Sequence, residues 1–172
     1  MGAASVVRIR RIAPDDGLTL RDLRLRSIAD APSAFGPPLE EARGRPEKEW
    51  HRSARQSSHG DNRTWLLAEV DGHAVGLVQG RKRRPRTLLL FSMWVDPSVR
   101  RLGVGRTLIE SLEAWGRGWD AAETILWVYG ANDEAIRFYR DLAFEVVRGG
   151  QDAEAGSRFG ALAMRRDIHS PI

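Results

Sequence analysis

Nine consecutive residues, Thr87 to Val95 (TLLLFSMWV), leave this chain little choice of fold. A strand with one face in water alternates apolar and polar residues. Here only Thr87 and Ser92 are polar, so the run reads as a strand covered on both faces. Asp96 and Pro97 end it. The stretch RRLGVGR, Arg100 to Arg106, comes next. Val104, Leu108, Leu112 and Trp115 then recur at spacings of four, four and three, which places them on one helix face. Residues 123–129 (ETILWVY) form the next apolar strand. A strand–helix–strand crossover of this kind, over 88–129, joins parallel neighbours in one sheet.

The remaining segments are read the same way. Residues 5–12 alternate as a first strand. A helix over 15–30 carries Leu20, Leu23 and Ile28 behind an aspartate cap. Residues 31–45, rich in Pro and Gly, read as a long loop, and a helix begins at Pro46 with proline at its first position. Strands over 64–70 and 74–81 are separated by Asp71-Gly72-His73, a hairpin signal. The basic stretch RKRRPR, Arg81 to Arg86, leads into the apolar run. Asn132 to Leu142 is a helix with Ala135, Tyr139 and Leu142 on one face. Two last strands, 144–149 and 157–166, flank a polar loop. The order β, α, α, β, β, β, α, β, α, β, β predicts an α/β (α+β) fold. Its sheet is mixed, mostly antiparallel, of about six to seven strands with helices on both faces. The 172 residues are expected to form a single domain.

Composition removes several functions. There is no cysteine, hence no disulfide, thiolate metal site or cysteine nucleophile. His51, His59, His73 and His169 are scattered, so no metal site is expected. No G-x-S-x-G elbow occurs. Arg8 interrupts any apolar leader and Val6 fails the myristoylation pattern that Gly2 begins. No run is long enough to span a membrane, and the expected location is the cytoplasm. With 27 Lys and Arg against 23 acids, a net charge of +4 argues against a general nucleic-acid binder and suits a small anionic ligand.

The segment Arg100–Arg106 has the chemistry for such a ligand. A helix start presents unpaired N–H groups and a partial positive charge. Gly103 and Gly105 allow close approach to the backbone, and Arg100, Arg101 and Arg106 add charge. No lysine completes a Walker loop, and Leu108 stands where a dinucleotide fingerprint needs glycine. The simpler reading is a basic turn that caps a helix.

Residues 100–105, R-x-x-G-x-G directly after a strand ending in Trp94-Val95-Asp96-Pro97, resemble the acyl-coenzyme A motif of the GNAT superfamily of N-acetyltransferases. The segment NDEAIRFYRDLAFE from Asn132 resembles that family's second signature. The resemblance is specific over 88–147, the implied acetyl-CoA core, and looser before it. It implies that residues 5–60 border the acceptor site, where Phe35 and Trp50 are candidate lining residues. It further implies that the backbone of Leu102, Gly103, Val104, Gly105 and Arg106, with Arg100 and Arg101, holds the coenzyme A diphosphate. By the same resemblance the backbone of Trp94 and Val95 pairs with the pantetheine arm, Asn132 contacts pantetheine or the substrate channel, and Tyr139 is the general acid. Helix capping by Asn132 and core packing by Tyr139 are the plain alternatives. The family usually has glycine at Ala143 and often at Arg101.

The implied reaction is direct attack of a primary amine, from a small molecule or a peptide N-terminus, on acetyl-CoA. No metal is called for, and a homodimer is compatible with the class. The apolar strand holds no acid; Ser92 is a poor base, while Glu69 or Glu40 would act through water. Two rival readings stand beside it: a nucleic-acid or ribosome-binding module built on Arg81–Arg86, and a non-catalytic coenzyme A sensor that keeps the same fold.

Overall fold

A computed structural model describes residues 6–35, 37–83 and 85–169. Gly2, Ser5 of the expected first strand, Arg84 of the basic stretch and the last three residues of the expected domain lie outside the described residues. The elements are β1 Val7–Arg11, α1 Gly17–Asp30, α2 Leu39–Gly44, α3 Glu47–His59, β2 Arg63–Val70, β3 His73–Arg83 and β4 Thr87–Val95. A 3-10 turn, Pro97–Val99, leads to α4 Val104–Arg117, β5 Glu123–Tyr129, α5 Asp133–Asp141, β6 Glu145–Val146, α6 Gln151–Ser157 and β7 Ala161–Asp167. The strands form one seven-stranded sheet in the order β1-β2-β3-β4-β5-β7-β6. As the crossover requires, β4 runs parallel to β5, from Thr87↔Glu123 to Leu89↔Ile125. Strands β1–β2, β5–β7 and β6–β7 are antiparallel.

The chain packs as two compact units, Met1–Gly80 with Ser92–Leu112, and Arg81–Phe91 with Glu113–Ile172. In the first, α1 and α3 cover a cluster of Ile12, Leu20, Leu23, Trp50, Ala54, Trp65, Leu67, Leu77 and Trp94, with Phe35 packed against it. Gly17 permits that arrangement: a Cβ there would lie 2.4 Å from Nδ1 of His51 on α3. The hairpin signal is answered at Asp71 and Gly72, both at positive φ (50° and 81°), as a two-residue primed turn demands.

In the second unit, Leu88, Ile125, Leu126, Ile136, Phe144 and Met164 are buried. Among them sits a polar group. Arg166 on β7 pairs with Glu113 at 3.1 Å, with side-chain exposures of 3% and 1%. Glu113 also accepts from the Thr124 hydroxyl at 3.0 Å, and Arg166 donates to the Leu142 carbonyl at 3.2 Å. Every charge there has a counter-charge or a carbonyl, which is the condition for burying it.

Four expectations change. Asp16 precedes α1 without capping it, because its carboxylate is held by Arg10 at 2.5 and 2.9 Å and by the Ala13 amide. Pro46 is the residue before α3 and stays extended, ψ 138°, so the helix starts at Glu47. The expected 31–45 loop contains α2, whose single buried residue, Ala42, gives no periodic signal. The polar loop before β7 winds into α6, so that strand starts at Ala161 and its partner β6 is two residues long.

Candidate active site

Near the end of β4 one residue leaves the extended conformation. Ser92 has φ 51° inside the strand, the signature of a local bulge that re-aims the last residues of β4. Trp94 is buried, and its indole donates to Asp30 at 2.9 Å. The Asp96 carboxylate accepts from the Ser98 hydroxyl and amide at 2.5 and 2.8 Å and pairs with Arg26. The Ser98 hydroxyl, ahead of the Ser98 amide and Arg26, holds its carboxyl down to about 2. That rigid turn fixes where the next residues begin.

Arg100 is held by the protein itself. Its Nε donates to the Val95 carbonyl at 3.0 Å, and its terminal nitrogen pairs with Asp30. It braces the loop against α1. Arg101 and Arg106 are exposed, with no hydrogen-bond or ion-pair partner among the described residues. Arg101 and Gly103 take φ 67° and 82°. Alternating left-handed residues turn successive N–H groups into one concavity, a recognised anion seat. A Cβ on Gly103 would meet nothing within 4 Å, so the backbone faces open space. Thr107 closes the first turn by donating to the Gly103 carbonyl through both its amide and its hydroxyl, at 3.0 and 3.1 Å. The amides of Val104, Gly105 and Arg106 belong to the first turn and have no acceptor within the helix. Arg101 stands where the family often has glycine. At its observed φ it costs on the order of 1 kcal/mol.

The second unit carries Asn132 and Tyr139. Asn132 caps α5, its side-chain oxygen accepting from the Ala135 amide at 3.1 Å. Tyr139 is 8% exposed, its ring edge-on to Phe138 and Phe144 at centroid distances of 5.3 and 5.6 Å. Burial pushes its phenol well above the ordinary tyrosine range, so it stays a protonated donor. Ala143 adopts φ 62°, the left-handed helix end that glycine would fill more cheaply, by about 1 kcal/mol. Residues 94–106 thus lie together in the first unit, while Asn132 and Tyr139 belong to the second.

Of the three named candidates for the base, two carboxylates are paired with arginines and the third is a hydroxyl at a left-handed residue. Glu69 pairs with Arg10 at 2.6 Å, Glu40 pairs with Arg43 on exposed α2, and Ser92 sits in the bulge. The sequence reading missed Asp30, which receives both Trp94 and Arg100; a solvent-facing acid at a helix end carries no signal for that role. The basic stretch is largely engaged within its own unit. Arg81 lies 5.0 Å over Phe91 and Lys82 4.8 Å over Trp119, while Arg83 pairs with Asp152 at 2.6 Å and Arg86 with Asp120 at 3.0 Å. A groove of about 580 Å³ lined by the Arg26–Asp96 pair, Asp22 and His73 includes none of the expected site residues.

Comparison with known proteins gives the family. Residues 25–144 match the model of the acetyltransferase (GNAT) family. The mycothiol acetyltransferase of Thermomonospora curvata is 32% identical over 142 residues, 80% of this chain and 44% of that protein. An N-alpha-acetyltransferase of Sulfurisphaera tokodaii is 32% identical over 96 residues, 49% of this chain and 58% of that protein. The chain therefore spans about half the length of the curated relatives it matches. Among solved structures, the PaiA N-acetyltransferase of Thermoplasma acidophilum, in complex with coenzyme A, superposes with a TM-score of 0.77. Its sequence is 17% identical, and the alignment covers 94% of this chain and 99% of that one. That likeness is one of fold, and it agrees with the mixed seven-stranded sheet. With the family model spanning more than half its residues, the chain belongs to the acetyltransferase (GNAT) family.

Proposed function

We propose that this chain is an N-acetyltransferase that moves the acetyl group of acetyl-CoA to a primary amine. One observation carries the reading: two left-handed residues, Arg101 and Gly103, open directly onto the acceptor-free amides of α4. A diphosphate fits that seat, with Arg101 and Arg106 supplying countercharge. Arg100 contributes by bracing the loop. The backbone of Trp94 and Val95 pairs with the pantetheine arm, and a free N–H there polarises the thioester carbonyl. Asn132 holds the start of α5, and Tyr139 protonates the departing thiolate. The carbon–nitrogen bond forms as the carbon–sulfur bond breaks, and with no cysteine nucleophile in the chain direct attack is the simplest route.

The amine must be neutral to attack. Deprotonating a lysine-like amine at pH 7 costs about 4.6 kcal/mol, whereas an α-amine near pKa 8 costs about 1.4 kcal/mol. The strand Thr87–Val95 holds no carboxylate. Glu69 and Glu40 are already paired with arginines. Acceptors of low pKa are therefore favoured, the amine losing its proton to water. Peptide N-termini and small α-amines both satisfy this. In a thiol-release assay with equal concentrations of amines, kcat/KM at pH 7 is expected to be at least about tenfold higher for α-amines than for unhindered alkylamines. A preference for high-pKa alkylamines with no α-amine activity would overturn it.

A further inference from the structure

Among the described residues, most of the buried and half-buried arginines have a carboxylate or carbonyl partner. Arg10 is held by Asp16 and Glu69, Arg26 by Asp22 and Asp96, Arg83 by Asp152, and Arg166 by Glu113. Arg11 donates to the carbonyls of Ser57 and Gly60 at 3.0 and 2.6 Å. Arg24, on α1, has only one acceptor, the Phe35 carbonyl at 2.9 Å, and its guanidinium lies 5.8 Å from the Phe35 ring centre. Its other terminal nitrogen is buried without a hydrogen-bond partner, and no carboxylate pairs with it among the described residues.

The surroundings add donors and positive charge. Arg45 is close enough to repel Arg24. Burial first, and then Arg45, brings the Arg24 guanidinium down to about 10. Arg45 itself lies 4.3 Å over the Trp50 ring and shares its charge with the half-exposed Glu49 at 3.1 Å. Trp50 is 3% exposed, yet its indole N–H has no acceptor. Trp65, in the same core cluster, also has a buried indole N–H without an acceptor. Phe35 packs against that cluster. Arg24 thus has a second cation beside it, and that cation covers a tryptophan whose buried N–H has no acceptor. Leaving a cation without a counter-charge out of water is costly, and no carboxylate among the described residues offsets this one.

We propose that Arg24, with Arg45 and the Trp50 that Arg45 covers, is a receptor for a small carboxylate. The planar fork of guanidinium matches two carboxylate oxygens, and a buried indole N–H suits a single-oxygen contact. No bond is made or broken. The carboxylate has two sources: the acetyl acceptor, as in an amino acid or peptide, or a separate ligand. The first of these rests on the transferase reading; the site itself does not.

Thermal unfolding with acetate tests the site without acetyl-CoA, using acetamide as the neutral isostere and chloride to hold ionic strength. Acetate is expected to raise Tm by at least about 2 °C where acetamide does not. Arg24→Met should abolish the response while leaving Tm without acetate equal or higher, since it removes an uncompensated cation. Arg24→Lys, which keeps the charge but loses the fork, should weaken the acetate response at least about tenfold in apparent Kd and serves if the methionine variant does not fold. Equal responses to acetate and acetamide, or an acetate response unchanged in the variants, would overturn the proposal. A second arm assigns the source. If the acceptor supplies the carboxylate, amino acids exceed their amides in kcat/KM by at least about tenfold, and Arg24→Met removes the difference. If a separate ligand supplies it, the acetate response stands while amino acids and amides are used equally.

Discussion

Tyr139→Phe is expected to lower kcat by about 10²–10⁴-fold while leaving the Kd for acetyl-CoA unchanged, the range that general acid catalysis contributes. The change removes one oxygen from a ring already fixed by Phe138 and Phe144, so the packing that positions it survives. Single-turnover acetyl transfer and an equilibrium titration together separate the two quantities. An unchanged kcat would exclude Tyr139 as the acid and leave it a core aromatic. The pH dependence is specific too. Burial raises the phenol's pKa, so the folded protein favours its neutral form. The stabilisation is fully present below the unfolded value near 10 and is lost as pH rises above it. Any alkaline fall in activity below about pH 10 therefore belongs to another group. Above that pH the wild type should lose Tm faster than the phenylalanine variant.

Glu113→Leu should destabilise the protein by about 3–5 kcal/mol, which corresponds to a Tm lower by roughly 6–20 °C for a chain of this size. The substitution leaves Arg166, 3% exposed at its side chain, without its counter-charge, holding the Leu142 carbonyl and lying 6.0 Å over Phe144. Most of the loss comes from that stranded cation. Combining it with Arg166→Met should therefore recover most of the stability, because apolar residues of similar volume replace such pairs at little cost. Thermal melts of the two single variants and the double variant decide it. A single variant as stable as the parent would mean that Arg166 finds another counter-charge. Arg166 also holds the carbonyl at the end of α5, so the single variant should lower kcat beyond its effect on folding.

The sequence was most legible where one physical constraint dominates. The run Thr87–Val95 is buried or half-buried throughout, and of the stripe Val104, Leu108, Leu112 and Trp115 the first three are buried and Trp115 half-buried. Asp71-Gly72 turned as its composition required. The glycine loop was legible because helix starts and left-handed positions obey local rules. What escaped was set by distant partners. Asp16 gave up its cap to Arg10, and Arg100 turned from a free cation into a brace through Asp30, seventy positions away in sequence. Helices α2 and α6 are too short, six and seven residues, to print an apolar period. The lone guanidinium of Arg24 was invisible for the same reason: exposure and pairing are properties of the fold.

Calorimetric titration of the protein with acetyl-CoA, beside coenzyme A without the acetyl group, tests the anion seat of Arg101–Arg106 most directly. One-to-one binding of acetyl-CoA in the micromolar range is the expected result. No heat of binding at any accessible concentration would contradict it and reduce the loop to a basic turn at the start of a helix.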